Sequence, residues 1–311
     1  MTANALTDWL LESPTPSIRY LTRRHLLDRP DDDPDTQAAR ADIMQTGPVP
    51  AILARQTPEG HWEGERSYYT PKYTSTHWSM TLLMEFAADP ADPRLQRGAD
   101  FMLSATERRV INALAPEQQD WGCFWGNLLR YVAYCGRADD PRVARFVEVI
   151  ALASGARGWG CRFNDEIACA WGASRALWAL AALPERLRTP QVEAAIQSGL
   201  DFLLGGEYAL IKGDYPTPGS IHKHWSRLNF PLFYQADILF TLRALADLDA
   251  LDHPQAQAAL DWLADRQQAD GRWRGANPYG SNTWSELGGG EESSRWVSLQ
   301  AAMLLKQAGR L

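Results

Sequence analysis

The sequence predicts an all-α protein of the α/α-toroid type, in which inner and outer helices alternate around a ring. Proline residues predicted to open helices recur at intervals of roughly 50–60 residues, the spacing of a repeated supersecondary unit. A more apolar helix lies between successive members of this series. No stretch of useful length shows the alternation of apolar and polar residues that a half-buried strand requires. These observations favour about five to six helical hairpins and no sheet.

The outer helices are each predicted to begin at a proline that directly follows a residue able to cap a helix. Proline suits the first helical position because its missing N–H would have no partner there. The acidic run Asp31–Asp35 fits this role better than metal binding, because acidic side chains favour the positive end of a helix. The capping positions are Asp33, Asp92, Asp140, Thr189 and His253.

The inner helices are predicted to be buried all round, whereas the outer helices have one wet face. Two concentric layers satisfy this pattern, and an open solenoid is the competing geometry. We expect one domain over residues 1–311. Residues 1–45, with helices over Leu6–Leu11 and Ser17–Leu27, pack on the ring, and residues 46–311 form the hairpin repeats. The inner helices begin near Trp78, Trp125, Trp171, Tyr234 and Trp296.

Composition excludes several classes of function. The chain has 311 residues, a net charge of −7 and a pI near 5.4, which argues against a general nucleic-acid binder. The sequence begins without a signal-peptide pattern and has no apolar run of the ~20 residues that span a bilayer. With four cysteines, this favours the reducing cytoplasm. Peripheral membrane contact and the oligomeric state stay open.

A short motif occurs twice, in residues 52–62 (ILARQTPEGHW) and at the end of residues 258–273 (AALDWLADRQQADGRW). Each copy contains Gln, three residues, Gly, one residue and Trp. The glutamine amide can bond loop backbone, glycine permits the turn, and the indole packs over it while its N–H finds a partner. We expect each copy to join the end of one helix to the start of the next.

The second copy belongs to a longer pattern of small residue, aromatic residue, Leu, Gln, Gly and Trp. This pattern resembles the prenyltransferase and squalene-cyclase repeat, and the resemblance covers about residues 45–311. It implies an α/α toroid and an enzyme that handles an isoprenoid. The matching residues are Ala258, Trp262, Leu263, Gln267, Gly271 and Trp273.

Within that resemblance, Gly158–Trp171 is similar to the metal and diphosphate segment of protein prenyltransferase β-subunits. Arg162, Asn164 and Cys169 match its pattern approximately, with one residue fewer between the arginine and the cysteine. The match implies that Arg162 holds a diphosphate and that Cys169 ligates zinc.

The same segment also departs from that pattern. Asp165 stands where the diphosphate lysine is expected, and Ile167 stands where an aspartate zinc ligand is expected. Gln235 follows Phe233–Tyr234, where the family has a histidine ligand. The Asp-x-Asp-Asp motif of protonation-started cyclases is absent from the sequence. Neither peptide prenylation nor cyclisation of that type is therefore expected.

Zinc is the one cofactor that the residues themselves suggest. Cys123 and Cys169 each precede an inner-helix tryptophan by two residues, Cys161 lies in the loop before Cys169, and His77 directly precedes Trp78. Three thiols and one imidazole form a tetrahedral zinc set, and His222 or His224 could replace His77. The alternative is that these thiols pack as small apolar side chains.

The substrate is expected to lie against aromatic side chains, whose faces also stabilise cations. The alternative is that these side chains only pack between helices. Arg162, Arg295 and Lys72 are cations able to hold a diphosphate, with surface ion pairs as their alternative. The expected substrate-binding aromatic residues are Trp78, Trp125, Trp171, Trp296 and Phe233.

Asp237 and Tyr234 are the predicted catalytic pair. Asp237 follows Tyr234 by three residues in a predicted apolar helix, so the two would share a face. A carboxyl in apolar surroundings has a raised pKa, which suits proton transfer. The alternative is a structural bond between Asp237 and a neighbour such as Arg175.

Three functions follow from these residues. The first is an enzyme that binds an apolar substrate, with or without a diphosphate, in an aromatic-lined cavity. The second is a carbohydrate-active toroid, in which Asp165, Glu166 and Glu286 matter more than Asp237. The third is a non-enzymatic binding or scaffold protein whose cavity is filled by side chains.

Overall fold

The structure, a computed structural model, describes residues 3–63, 67–115, 122–155, 158–206, 209–213, 215 and 221–311. These residues are helical with connecting loops, and their extended pairing is confined to two isolated bridges, Gly160–Ala168 and Asn229–Ala276. The all-α prediction is confirmed. The α-helices are α1 Ala3–Leu11, α2 Pro16–Leu21, α3 Pro34–Ile43, α4 Pro48–Leu53, α5 Thr76–Glu85, α6 Pro93–Ala113, α7 Gly122–Tyr134, α8 Pro141–Ser154, α9 Ala170–Ala181, α10 Pro190–Leu204, α11 Ala209–Lys212, α12 Ile238–Ala246, α13 Pro254–Ala264 and α14 Gly290–Gln307.

All five predicted proline starts are confirmed, at α3, α6, α8, α10 and α13. The preceding residues cap these helices in the expected way. Asp33 Oδ2 accepts the Thr36 N–H at 2.9 Å, and Asp140 Oδ1 accepts the Arg142 N–H at 2.9 Å. Among the described helices, none combines the length and apolar composition that a membrane span requires.

Helices α5, α7, α9 and α12 are buried along almost their whole length, whereas α8 and α10 each keep one exposed face. The predicted alternation of two kinds of helix is therefore confirmed. Two starts were placed wrongly, because α12 begins at Ile238 rather than near Tyr234, and α14 begins at Gly290 rather than near Trp296. The predicted helix over Ser17–Leu27 consists of α2 and a π-helical turn, Thr22–Leu26.

The chain divides into two compact units. The first comprises Met1–Gly98, Arg227–Leu232 and Trp262–Leu311, and the second comprises Ala99–Ser226 and Phe233–Asp261. The prediction of one domain over residues 1–311 and the prediction of ring closure are not tested by this division and stay predictions.

In the first unit both copies of the Gln–Gly–Trp motif form the same turn. Trp62 Nε1 donates to the Ile52 carbonyl at 2.7 Å, and Trp273 Nε1 donates to the Leu263 carbonyl at 2.8 Å. In each copy the glutamine amide donates to the carbonyl of the motif glycine, at 3.1 Å in the first and 2.9 Å in the second. Both motif glycines have positive φ, which explains the choice of residue.

The N-terminal helices α1 and α2 also belong to the first unit, where α2 and the π-turn contact α14. A buried carboxylate fixes this contact. Glu292, 8% exposed, accepts hydrogen bonds from Ser13 Oγ at 2.9 Å and Thr15 Oγ1 at 2.6 Å. Arg295 Nη1 lies 3.3 Å from the same carboxylate. The charge is thereby compensated inside the fold.

In the second unit α9 is central, since it contacts α7, α8, α10 and α12. Helices α7 and α9 approach closely because glycines lie at their contact. A Cβ built on Gly126 would lie 2.5 Å from the Arg175 carbonyl oxygen, so no other residue fits there without a shift.

A buried arginine joins three segments of the second unit. The Arg175 guanidinium is fully buried, with Nη2 2.7 Å and Nε 3.0 Å from the Gln235 carbonyl oxygen. Nη1 donates to Asn127 Oδ1 at 3.3 Å, and the guanidinium carbon lies 3.7 Å from the centre of the Phe240 ring. This network holds the segment before α12 against α7 and α9.

Candidate aromatic and thiol site

The candidate site lies in the second unit, at the N-terminus of α9. Trp171 is half-buried there and makes edge-to-face contacts with Tyr234, at 6.1 Å between ring centres, and with His222, at 5.7 Å. Tyr234 is also half-buried and His222 is exposed. We call these three side chains the aromatic face. Trp171, a predicted substrate-binding residue, and Tyr234, a predicted catalytic residue, are therefore in contact.

The Trp171 indole nitrogen gives the aromatic face a polar feature. Nε1 is buried and has no hydrogen-bond partner among the described residues. A buried N–H without an acceptor is costly, at about 1–3 kcal/mol, and such groups are rare in folded proteins. An oxygen atom of a bound molecule or of water would remove that cost. His224 extends this edge, with its ring centre 4.3 Å from that of His222.

A short hairpin-like loop leads into α9 and carries two of the predicted zinc ligands. Cys161 N donates to the Ile167 carbonyl at 3.2 Å, and Cys169 N donates to the Trp159 carbonyl at 3.0 Å. Cys169 is the N-cap of α9, where its Sγ accepts the Gly172 N–H at 3.4 Å. The sequence had not indicated that a thiol caps this helix, since cysteine is not among the usual capping residues.

Cys161 and Cys123 both interact with the Cys169 thiol at this helix end. A hydrogen bond with the Cys161 thiol, burial and the nearby Cys123 thiol raise the pKa of Cys169 well above its ordinary value. Cys169 is therefore a protonated thiol at neutral pH. Cys135 directly follows the C-terminus of α7, where burial raises its pKa to about 12.

The predicted fourth zinc ligand, His77, belongs to the first unit. It is fully buried, with its ring centre 4.6 Å from that of Trp78. Among the described residues, no group of three or more His, Cys, Asp or Glu side chains is arranged to hold a metal ion. The zinc site stays a prediction.

The tip of the loop that carries Cys161 and Cys169 is exposed. Arg162, predicted to hold a diphosphate, lies over the Phe163 ring at 5.2 Å, and Phe163 is 64% exposed. Asp165 and Glu166, the acids of the carbohydrate hypothesis, are exposed and have φ values of 49° and 61°. This strained tip presents both signs of charge to solvent.

Two of the other predicted substrate-binding aromatic residues in the second unit are enclosed by protein. Trp125 is fully buried, and its ring centre lies 5.0 Å from that of Phe124 and 5.5 Å from that of Phe146. Phe233 is also fully buried, and its carbonyl accepts a hydrogen bond from Asn127 Nδ2 at 2.8 Å. Their contacts fit the packing alternative.

The same holds for the predicted aromatic residues of the first unit. Trp78 is fully buried and donates from Nε1 to the Tyr69 carbonyl at 2.9 Å. Trp296, 2% exposed, stacks on Phe230 with ring centres 4.4 Å apart.

Asp237 has a structural position that the sequence argument missed. It does not share a helix with Tyr234, because α12 begins after Asp237, and that expectation was wrong. Asp237 is the N-cap of α12, 1% exposed, and its Oδ1 accepts the Phe240 N–H at 2.7 Å. A short acidic side chain before an apolar run is a helix-start signal that would have predicted this. The catalytic roles of Asp237 and Tyr234 stay predictions.

The remaining charged candidates lie in the first unit. Arg295 is 7% exposed and forms ion pairs with Glu291 at 2.9 Å and Glu292 at 3.3 Å, so its guanidinium is already compensated. Lys72 is exposed, with its Nζ 5.9 Å from the centre of the Tyr69 ring. Glu286 pairs with an exposed arginine of the same unit at 3.1 Å. Arg295 and Glu286 are therefore both engaged in ion pairs.

A cleft of about 530 Å³ in the first unit was not predicted. Trp9, Arg272 and Arg274 line it beside the second Gln–Gly–Trp motif. The Arg272 guanidinium lies over the Trp9 ring at 4.2 Å. The sequence signal was present in the two arginines that flank the motif tryptophan, but their meeting with Trp9 depends on how α1 packs.

Comparison with known proteins adds no functional assignment. No protein-family model and no curated protein matches the sequence at a significant level. A crystal structure of a protein from Actinoplanes is similar over 98% of this chain and 88% of its own, at 16% identity and a TM-score of 0.45. A likeness at that TM-score supports no argument about fold or function.

Proposed function

We propose that this protein binds an apolar, isoprenoid-type small molecule at the aromatic face formed by Trp171, Tyr234 and His222. The observation that carries the proposal is the Trp171 side chain, which is half-buried and whose indole N–H has no partner within the described part of the chain. Aromatic faces attract both extended hydrocarbon chains and cations. The free indole N–H would donate to an oxygen atom of the ligand.

The proposal extends to the head of the ligand. Arg162 lies in the loop that leads into α9, is exposed, and has no carboxylate among its described contacts. A guanidinium binds a diphosphate through paired hydrogen bonds. We therefore include isoprenoid diphosphates as well as isoprenoid alcohols. Catalysis through Asp237 is a separate step, since its Oδ1 already serves the backbone of α12.

A direct binding measurement tests this function. Isothermal titration calorimetry with farnesol and with farnesyl diphosphate should show binding by the unmodified protein and a loss of about tenfold or more in Trp171→Ala, since truncating a binding-site tryptophan commonly costs ≥ 2 kcal/mol. The matched control is Trp262→Ala, which removes another half-buried tryptophan from the first unit. An Arg162→Ala variant should weaken the diphosphate ligand selectively.

Equal binding by both tryptophan variants would remove the aromatic face from the proposal. Binding of a linear oligosaccharide in place of either isoprenoid would support the carbohydrate alternative, and loss of that binding in Asp165→Asn would connect it to the loop acids.

One observation favours a second candidate function, that of a non-catalytic scaffold. Trp78, Trp125 and Trp296 are each buried and in contact with other aromatic rings of their own unit. Side chains that fill their own surroundings leave no room for a substrate at those positions. If none of the ligands above binds at millimolar concentration, the scaffold function replaces the isoprenoid proposal.

A further inference from the structure

The cleft beside the second Gln–Gly–Trp motif belongs entirely to the first unit. Its volume of about 530 Å³ falls within the range of roughly 300–1,000 Å³ that is usual for small-molecule sites. Its walls are Trp9 of α1, residues between Gln268 and Gly275, and the first residues of α14. The ligand proposed above makes no use of these residues, so the cleft is open to a role of its own.

Two arginines of the cleft are fixed in place by their backbone. Arg272 and Arg274 alternate with the fully buried Trp273, as residues on the two sides of an extended chain do. The Trp273 N–H donates to Ser298 Oγ at 2.9 Å, which ties this segment to α14. A Cβ built on Gly275 would lie 2.3 Å from a backbone carbonyl oxygen of α14, so the segment is pressed closely against that helix. The two guanidinium groups therefore extend from a rigid base.

The acidic side chains of the cleft are engaged by other groups. Glu291 forms an ion pair with Arg295 at 2.9 Å. Asp270 Oδ1 accepts the backbone N–H of Arg272 at 3.1 Å, and its Oδ2 lies 3.8 Å from Arg272 Nε, which is longer than a hydrogen bond. The Arg272 guanidinium packs over the Trp9 ring at 4.2 Å and donates no hydrogen bond to the described residues.

Arg274 is the least compensated cation of the cleft. Its side chain is exposed, and within the described ranges it forms neither a hydrogen bond nor an ion pair. The first turn of α14 adds donors on the same wall, because its N-cap, Gly289, has no side chain to accept from the first N–H groups. The N-terminal end of this 18-residue helix also favours negative charge. The cleft therefore offers two guanidinium groups and backbone N–H groups to an anion.

We propose that this cleft binds a small molecule through a diphosphate group. Arg272 and Arg274 each donate paired hydrogen bonds to one phosphoryl group, which is the geometry that a guanidinium favours. Backbone N–H groups at the start of α14 donate to the remaining oxygens. Residues two apart along an extended chain lie about 6–7 Å from each other, so two linked phosphoryl groups can engage both arginines. A single phosphate engages only one arginine in this way and should bind more weakly.

This diphosphate site is independent of the isoprenoid site proposed above. Its residues belong to the first unit, whereas Trp171 and Arg162 belong to the second. Because Arg162 is itself proposed to hold a diphosphate, the two sites must be measured separately. The Arg162→Ala variant removes that second contribution and leaves the cleft unaltered.

Isothermal titration calorimetry of the full chain with pyrophosphate tests the cleft, in the unmodified protein and in Arg162→Ala. We expect both to bind pyrophosphate, and both to bind it more tightly than inorganic phosphate. Adding Arg274→Gln to Arg162→Ala should weaken pyrophosphate binding by about tenfold or more, through loss of hydrogen bonds between charged groups. The matched control is Arg266→Gln, which removes the same charge from an exposed arginine of the same unit outside the cleft. Its affinity for pyrophosphate should be unchanged.

Arginine modification gives a second readout that needs no variant. Phenylglyoxal reacts with accessible guanidinium groups, and peptide mapping by mass spectrometry locates the modified residues. Pyrophosphate should slow the modification of Arg272 and Arg274 and leave that of Arg266 unchanged.

Several results would overturn the diphosphate site. These are no binding of pyrophosphate at millimolar concentration, equal weakening by Arg274→Gln and Arg266→Gln, and equal modification of Arg272 and Arg274 with and without pyrophosphate. Binding by the unmodified protein that is lost in Arg162→Ala would also overturn it and would assign the anion to the second unit. Loss of farnesol binding in Trp171→Ala concerns only the isoprenoid site, so the two proposals can fail separately.

Discussion

The glycine contact between α7 and α9 offers a sharp test of the structure. In Gly126→Ala the new Cβ would lie 2.5 Å from the Arg175 carbonyl oxygen and 2.6 Å from its carbonyl carbon. Ordinary contact begins at 3.4 Å, so the helices must separate locally by about 0.9 Å. The obstacle is backbone, which cannot rotate away as a side chain can.

Three contributions decide the expected result for Gly126→Ala. Overpacking a close contact costs about 1–3 kcal/mol and occasionally more. Alanine offsets about 1 kcal/mol of this through its higher helix propensity. Moving Arg175 also disturbs a buried guanidinium bonded to the Gln235 carbonyl and to Asn127. We expect a net loss of roughly 1–3 kcal/mol in the free energy of unfolding.

Gly172→Ala is the matched control, because it makes the same change in α9 beside the same helix contact. Its Cβ would meet its nearest neighbours at 3.7 Å, an ordinary distance. Here the propensity term acts alone, so stability should be unchanged or rise by up to about 1 kcal/mol. Urea denaturation followed by circular dichroism measures both variants. Equal unfolding midpoints for the two would refute the close packing of α7 on α9.

Three further predictions follow from single contacts. Trp273→Phe removes the indole bond to the buried Leu263 carbonyl and should cost about 1–3 kcal/mol in urea denaturation; an unchanged midpoint would mean that the bond is unimportant. Asp237→Ala should cost about 1–2 kcal/mol through loss of a helix cap, while Asp237→Asn should stay close to the unmodified protein in melting temperature; turnover lost in Asp237→Asn at unchanged stability would reveal a catalytic role. Hydrogen bonds from arginine side chains lower the pKa values of Asp92 and Asp140 below 3.8, so their contribution to stability is complete above that pH and is lost as the pH falls through the lowered pKa values. In Asp140→Asn the free energy of unfolding should accordingly fall less steeply as the pH is lowered below 3.8. An identical pH dependence in the variant and the unmodified protein would contradict the assignment.

Much of the fold was predictable because it depends on local rules. A proline after a capping residue fixes a helix start without reference to the rest of the chain, and all five such starts were placed correctly. The starts of α12 and α14 were not, because an aromatic residue is no helix-start signal. In α12 the relevant signal was the aspartate that caps it.

The candidate site was only partly predictable. Cys123 and Cys169 were expected at neighbouring places because they occupy equivalent positions in adjacent repeats, with Cys161 in the loop before Cys169. The structure shows interactions of the Cys169 thiol with those of Cys161 and Cys123, and the zinc site stays a prediction. Burial of each predicted aromatic residue could not be assigned from sequence. Trp125 and Trp171 both lie near the N-termini of their helices, yet one is enclosed by two phenylalanine rings and the other is half-buried.

The sequence by itself determined the elements whose causes lie within a few residues, namely the all-α class, the alternation of helix types and the Gln–Gly–Trp turns. Proline, glycine and capping side chains act on backbone within a few residues, so their effect can be predicted from the neighbouring sequence. Only the tertiary structure decided that the Trp171 indole N–H has no partner among the described residues, that the Cys169 thiol interacts with two other thiols, and that Arg295 is already paired with two carboxylates. These outcomes depend on side chains brought from distant segments, whose burial and partners are set by packing.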